Sequence, residues 1–300
     1  MKNFTYFLLT LMHKWSKILP ECIKNIFIID LFLKNCSSGE RMSLKNQPSL
    51  TWYKEIWTGG NDIRPWVGDT KKEVDFLVNV MELSGSERIL DLACGFGRHA
   101  VELSRRGFPV VGVDITHDYI EEAKKAADFE GLDTRFMCTD IRDITFEEEY
   151  DVVLNMADGA IGYLEDDVEN LKLFSIIASS LKKGGKHFMH LTNAEYAEMH
   201  FPVKNWQISD DYLTLPEFRW DKESRRMLSG GMEIEFGRVV NKPDVTDFRP
   251  HSAIRLYSLQ EIEEILNSRQ MVIRKTFGEF DQTVPASHWD PELLVYSEKV

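Results

Sequence analysis

Three hundred residues with 49 acidic against 36 basic side chains carry a formal charge of −13 and a sequence pI of about 5.2, which leaves no broad electropositive footprint for a nucleic acid partner. A hydrophobic share of 43% is ample for a packed core, and the length allows one large domain with an insertion or two small ones. Cys22, Cys36, Cys94 and Cys138 have neither C-x-x-C spacing nor paired histidines nearby. They indicate no disulfide framework and no metal, and a cytoplasmic location is the expectation.

Residues 1–41 read as an N-terminal extension, poorly ordered or helical. Phe4 to Met12 is an apolar run behind Lys2, but His13, Lys14 and Trp15 end it without a small-x-small cleavage site. It is too short to span a bilayer, so no stable membrane insertion is expected, although an amphipathic surface attachment stays open. Ile26 to Leu33 is a second run, broken by Asp30, and the core is expected to begin near Met42. Trp52, Tyr53, Trp57 and Trp66 form an aromatic lead-in to a helix over about Thr70 to Leu83, with Val74, Leu77, Val78 and Met81 on one face.

The stretch Ile89-Leu-Asp-Leu-Ala-Cys-Gly-Phe-Gly-Arg-His-Ala100 runs from an apolar strand through a glycine turn into a helix, with Asp91 where the strand ends. Gly95, Gly97 and Ala100 satisfy the G-x-G-x-x-G/A dinucleotide fingerprint. A carboxylate beside that turn repels a pyrophosphate and attracts a ligand bearing an ammonium group. Val110 to Asp114 is a second buried strand ending in an acid, nineteen residues beyond Gly95, the spacing expected for a carboxylate that binds ribose. A helix follows His117 and turns Ile120, Ala123 and Ala127 inward. Arg135 to Asp140 ends a third strand with another acid, and Tyr150 to Asn155 makes a fourth. Each acid has a plainer reading too, as the N-cap of the helix behind it.

Asp166 to Lys182 reads as a helix with Val168, Leu171, Phe174 and Ala178 at helical spacing, and Leu181 to Asn193 as helix end, glycine turn and fifth strand. Residues 194–257 interrupt this pattern. Tyr212 to Trp220, Met227 to Phe236 and Phe248 to Tyr257, separated by Asp-Lys-Glu-Ser and Asn-Lys-Pro-Asp turns, predict an antiparallel meander over the sheet's carboxyl edge, where doubly wound folds bind ligands. Leu259 to Leu266 restores a helix, and Met271 to Phe280 with Leu293 to Glu298 make a closing antiparallel pair.

These five strand-end motifs, in order over residues 86–193, resemble the class I S-adenosylmethionine-dependent methyltransferases. The resemblance implies an α/β, doubly wound, Rossmann-like sheet of seven mostly parallel strands with a C-terminal antiparallel pair, and the meander is an inserted β lid upon it. The expected division is a cofactor-binding core at 42–193, the lid at 194–257 and the rest of the core at 258–300. S-adenosyl-L-methionine is the implied cofactor, with Tyr53, Asp91, Ala93, Gly95, Gly97, Asp114, Ile115, Asp140, Ile141 and Asn155 in its site. Asp114 is the ribose ligand and Asp140 lies beside the adenine. Ala93 replaces the family's usual first glycine. Because alanine prefers negative φ, it is expected to remain within the strand.

The implied activity is methyl transfer to a small-molecule acceptor. Asn155, Asp158, Tyr163, His190, Asn193 and Glu279 are candidate pocket groups, and His190 is the best base by residue type. The lid aromatics Tyr196, Phe201, Trp206, Tyr212, Phe218 and Trp220 are expected to select the acceptor, to glue the meander to the sheet, or to form a homodimer interface. A non-catalytic cofactor-binding module and, through the glycine pattern alone, an NAD(P)-dependent oxidoreductase are the alternatives.

Overall fold

The computed structural model describes residues 48–56, 70–208, 211–237, 239 and 248–300. The expectations for residues 1–41, a start near Met42, Trp57, Trp66, Cys22, Cys36 and the Asn-Lys-Pro-Asp turn lie outside the described residues.

Period-two alternation in the strands builds the main sheet. In β1 (Ile89–Leu92), Ile89 faces a core shared with α2 (Thr70–Val80), α3 (Arg98–Arg105) and α4 (His117–Phe129). Leu90 and Leu92 face a second core, under α5 (Asp167–Ser180) and α7 (Leu259–Asn267). With β2 (Val110–Asp114), β3 (Arg135–Cys138), β4 (Tyr150–Asn155), β5 (Leu181–Thr192), β11 (Met271–Phe277) and β12 (Glu292–Lys299), the order is β3-β2-β1-β4-β5-β12-β11. The first five strands are parallel, and β12 runs antiparallel to both its neighbours. The chain reverses direction across the sheet between β1 and β4, and such a switch point opens a crevice at the strands' carboxyl ends.

A second sheet, wholly antiparallel, holds β6 (Val203–Lys204), β8 (Tyr212–Asp221), β9 (Arg226–Glu235) and β10 (Pro250–Arg255) in the order β10-β9-β8-β6, with β7 (Gln207–Ile208) also on β8. A third apolar cluster fills the space between this sheet and the carboxyl edge of the first. It joins Trp52 and Tyr53 of the short helix α1 (Trp52–Ile56), Tyr163 and Leu164 after β4, Ala194 and Ala197 of α6 (Ala194–His200), and Phe218, Met227, Ile254 and Leu256.

Three details depart from the sequence expectation. In α5 the buried stripe is Leu173, Phe174, Ile177 and Ala178, while Val168 is exposed. Phe174 anchors the helix, and its neighbours three and four residues away on that face are Ile177 and Ala178, not Val168. The glycine turn before the fifth strand is a bulge inside β5: pairing with β4 jumps from Leu181 to Lys186, with Gly184 at φ 76°. Ala93 lies past the end of β1 at φ 55°, so it takes the left-handed conformation that a glycine would adopt rather than extending the strand.

Candidate active site

The glycine turn uses its two glycines differently. A Cβ on Gly95, at φ 56°, would meet nothing within 4 Å, so this backbone is open to close approach by a ligand. A Cβ on Gly97 would lie 2.8 Å from the Phe136 ring and 2.9 Å from Ala123, which makes that glycine a packing requirement of α3 and α4.

Beside the turn, Asp91 is buried with no hydrogen-bond partner on its Oδ2. Burial pushes its carboxyl up to about 7; nearby Asp114 pushes the same way, while Arg98 opposes. Arg98 is itself held by Glu73 at 2.8 Å and by Thr70 at 3.1 Å, and Glu73 also contacts His99 Nε2 at 2.6 Å. Despite burial, His99 and Arg98 hold Glu73 down to about 2. Sequence reading missed Glu73 and Arg98, although Arg98 directly follows the glycine pair.

Asp114, at the end of β2, accepts from the N–H of Gly95 at 2.9 Å on one oxygen and from the N–H of Thr116 at 2.8 Å on the other. A carboxylate has about four acceptor positions, so each oxygen keeps capacity for a further donor. Asp114 thus braces the glycine turn from the adjacent strand, while Gly97 and Thr116 occupy the N-cap positions of α3 and α4. Of the strand-end acids Asp91, Asp114 and Asp140, the last caps the element that follows it, accepting from the N–H of Arg142 at 3.0 Å.

Arg142 gathers the roof of this edge. Its guanidinium meets Asp140 at 2.6 Å, Glu165 at 2.9 Å and Glu169 at 3.0 Å, and donates to Tyr53 Oη at 3.1 Å. Tyr53 in turn donates to Glu165 at 2.8 Å, and burial together with that carboxylate raises its phenol well above the ordinary value. This network ties α1 to the loops after β3 and β4. Trp52 packs on Tyr163 at a ring-centroid distance of 4.9 Å, and Ile115 joins the same apolar cluster. Ile141 turns its side chain into the core under α5 instead.

Beyond β4 the backbone is strained. Ala157, Asp158, Gly159 and Ala160 have φ of 56°, 67°, 52° and 63°, a left-handed turn of a kind L-residues enter at a cost of about 1–2 kcal/mol each. Asn155 holds it from one side, donating to Gly159 O at 2.9 Å while its Oδ1 lies 3.1 Å from His187 Nε2. The end of β5 holds it from the other. Asp158 N–H donates to His190 O at 2.8 Å, and the Asp158 carboxylate accepts from Thr192 N–H at 2.9 Å and from Tyr163 Oη at 3.3 Å. Burial lifts Asp158 to about 6. Such strain concentrates where a fold aims groups at a ligand.

The remaining pocket candidates divide. His190 is buried, with Nε2 3.2 Å from Glu292 Oε2, a partner for which the sequence offered no signal. Asn193 accepts from Glu195 N–H at 3.0 Å and donates to Ser287 O and Asp290 O at 2.9 and 2.8 Å, so its side chain stitches α6 to the β11–β12 loop. Asn155 is likewise committed to the left-handed turn. Glu279 is half-buried in the β11–β12 loop.

A glycine turn flanked by Asp91 and Asp114 at the switch point suits a cationic ligand with a ribose and repels a pyrophosphate. The sheet is of the doubly wound class, whose ligands bind in the crevice at this switch point.

Residues 89–185 match the methyltransferase domain family. The putative methyltransferase YqeM of Bacillus subtilis is 23% identical over 67% of this chain and 79% of that protein. The ubiquinone biosynthesis O-methyltransferase of Bradyrhizobium diazoefficiens is 40% identical over 45% of this chain and 59% of that one. Among solved structures, an S-adenosylmethionine-dependent methyltransferase from Clostridium acetobutylicum matches with TM-score 0.63 at 19% identity, covering 77% of this chain and 92% of that one. The CcbJ methyltransferase of Streptomyces caelestis gives 0.66 at 15%, covering 84% and 96%. Residues 89–185 are thus a methyltransferase domain on the fold of the S-adenosylmethionine-dependent enzymes, and S-adenosylmethionine is its cofactor.

Proposed function

We propose that this enzyme methylates a small molecule held between the cofactor edge and the second sheet. The carrying observation is the unpartnered, buried Oδ2 of Asp91 at the switch point, beside the open Gly95 backbone. In this reading Asp91 attracts the methionine ammonium, Gly95 lets the backbone approach, Asp114 receives the ribose hydroxyls, and Asp140 with Ile115 borders the adenine. Tyr53, Ala93, Gly97, Ile141 and Asn155 shape the site through their contacts. The cofactor supplies a sulfonium methyl open to in-line attack. The protein's share is orientation and exclusion of water, for which the roof of α1 and the second sheet is suited. Where the acceptor must lose a proton, His190, held by Glu292, is the base we assign.

The named relative from Bradyrhizobium is an O-methyltransferase, which favours an oxygen acceptor. No helix among the described residues is long and apolar enough to cross a membrane, in keeping with a cytoplasmic enzyme. A homodimer would use the exposed Trp206 and Ile208 of the second sheet, and light scattering decides it. The site assignment is tested by Asp114→Ala. Hydrogen bonds to a charged group are worth about 1.5–3 kcal/mol, so cofactor affinity should fall at least about tenfold by calorimetry. Unchanged affinity in a folded variant would remove Asp114 from the site.

A further inference from the structure

The inner face of the second sheet carries two polar atoms that the fold leaves unsatisfied. Ser229 is 2% exposed and its Oγ has no hydrogen-bond partner, and the indole Nε1 of Trp220 is buried and equally without one. Leaving such a group unmet costs about 1–3 kcal/mol, so each needs an explanation.

Their placement supplies one. In the β8–β9 pairing, Phe218 faces Ser229 and Trp220 faces Met227; in the β9–β10 pairing, Ser229 faces Ser252 and Met227 faces Ile254. Alternation therefore puts Phe218, Trp220, Met227, Ser229, Ser252 and Ile254 on one face. The charges of β8 fall on the other, where Glu217 pairs with Arg219 at 2.6 Å and with Lys204 at 3.3 Å. Phe218, Met227 and Ile254, with Trp220 packed against them, belong to the cluster that includes Ile115, next to Asp114, and Ala160 and Tyr163, beyond β4. The uncharged wall is thus continuous with the cofactor edge.

We infer that Trp220 Nε1 and Ser229 Oγ are a hydrogen-bonding pair for the methyl acceptor, which is an uncharged, largely apolar molecule bearing an oxygen that accepts from them. This rests on the acceptor site proposed above. The indole nitrogen only donates and the hydroxyl both donates and accepts, so both can be satisfied by a hydroxyl or carbonyl oxygen. Diagonal neighbours on one face of an antiparallel pair lie about 7–8 Å apart, close enough for one molecule to reach both. A charged ligand would lie against Phe218, Trp220, Met227, Ser229, Ser252 and Ile254, none of which is ionised, at a large desolvation cost.

The test uses the full chain saturated with S-adenosylhomocysteine and two probes of equal size, 2-naphthol and 2-methylnaphthalene, in equilibrium dialysis. Wild type should bind the naphthol at least about tenfold tighter. Trp220→Phe and Ser229→Ala combined should bring the two probes within twofold, with S-adenosylhomocysteine affinity unchanged. Ser229→Ala alone should leave the melting temperature of the unliganded protein unchanged or higher, since it removes an unmet hydroxyl. Equal binding of both probes by wild type, or a preference that survives the double substitution, would overturn the pair and leave the acceptor site standing. A melting temperature several degrees lower in Ser229→Ala would also overturn it, by showing the hydroxyl to be structural. Binding of neither probe would remove the acceptor from this wall altogether.

Discussion

Ala93 shows how one side chain is carried against its preference. The turn after β1 requires φ 55° there, and alanine accepts it at about 1–2 kcal/mol, while glycine would regain part of that and lose some backbone entropy. Ala93→Gly should therefore stabilise the protein by about 0.5–1 kcal/mol in thermal unfolding; a lowered melting temperature would mean that the methyl group packs productively. Asp91 is the opposite case, a residue whose cost serves a ligand in the proposed site. Burial raises its carboxyl from the ordinary carboxylate range to about 7, so between about 4 and 7 the folded state holds a proton the unfolded state has lost. Its contribution to stability is full below about 4 and is lost as pH rises through 7. Asp91→Asn should remove that slope, gaining on wild type by a few kcal/mol at pH 8 compared with pH 5. Cofactor affinity should move the other way. A cationic ammonium prefers ionised Asp91, so wild type should bind more tightly from pH 5.5 to 7.5 and the variant should not. Parallel pH profiles for the two proteins would contradict the ammonium role.

At the scale of elements, the second sheet is joined to the turn after β4 by a backbone contact whose geometry only glycine permits. Arg255 N–H donates to Gly162 O at 2.8 Å, and a Cβ on Gly162, at φ 85°, would stand 1.9 Å from the Arg255 carbonyl oxygen. Neither atom is the end of a flexible side chain, so β10 or the turn after β4 must shift. Gly162→Ala should cost more than about 2 kcal/mol of stability. It should also raise the acceptor KM more than it weakens cofactor binding, because the glycine turn at Gly95 lies on other elements. A variant with wild-type stability and kinetics would show that this joint is not what seats the sheet. The left-handed turn beside it has the same logic: Asn155, Thr192 and Asp158 hold a backbone that its own residues would not choose.

For the whole molecule, the proposed cofactor and acceptor functions separate along the chain. The glycine turn and its acids lie before residue 158, while the wall proposed to face the acceptor belongs to β8, β9 and β10. Replacing residues 203–255 with a short Gly/Ser connector should preserve cofactor binding in calorimetry and abolish methyl transfer, with lower stability because Trp52, Tyr163 and Leu256 lose their cover. Full activity of such a variant on the native acceptor would rule out the second sheet as the selecting element. The lid aromatics divide accordingly. Phe218, Phe201 and Trp220 join the cluster and Tyr196 is buried, whereas Trp206 and Tyr212 are exposed.

Local chemistry made the core legible in sequence. Ile89 to Gly97, Val110 to Asp114 and Tyr150 to Asn155 each combine an apolar run with a glycine, an acid or an amide at its end, and parallel strands buried on both faces read as such apolar runs. The reversal of the strand order then follows from the succession of units. What contacts the polar groups of the edge depends on residues far away in the chain: Arg142 on Glu165, Glu292 on His190, Thr192 on Asp158. Those pairings carry no periodicity and no fixed spacing. The same holds for Ala93, whose sign of φ is set by the turn it must close, and for Asn155 and Asn193, whose side chains are consumed by backbone groups that the tertiary fold brings beside them. Sequence determined the strands and their order, because burial of periodic apolar faces is a local instruction. Tertiary structure alone decided which polar groups remain unmet at the carboxyl edge, because a hydrogen-bond partner is fixed only when distant segments pack.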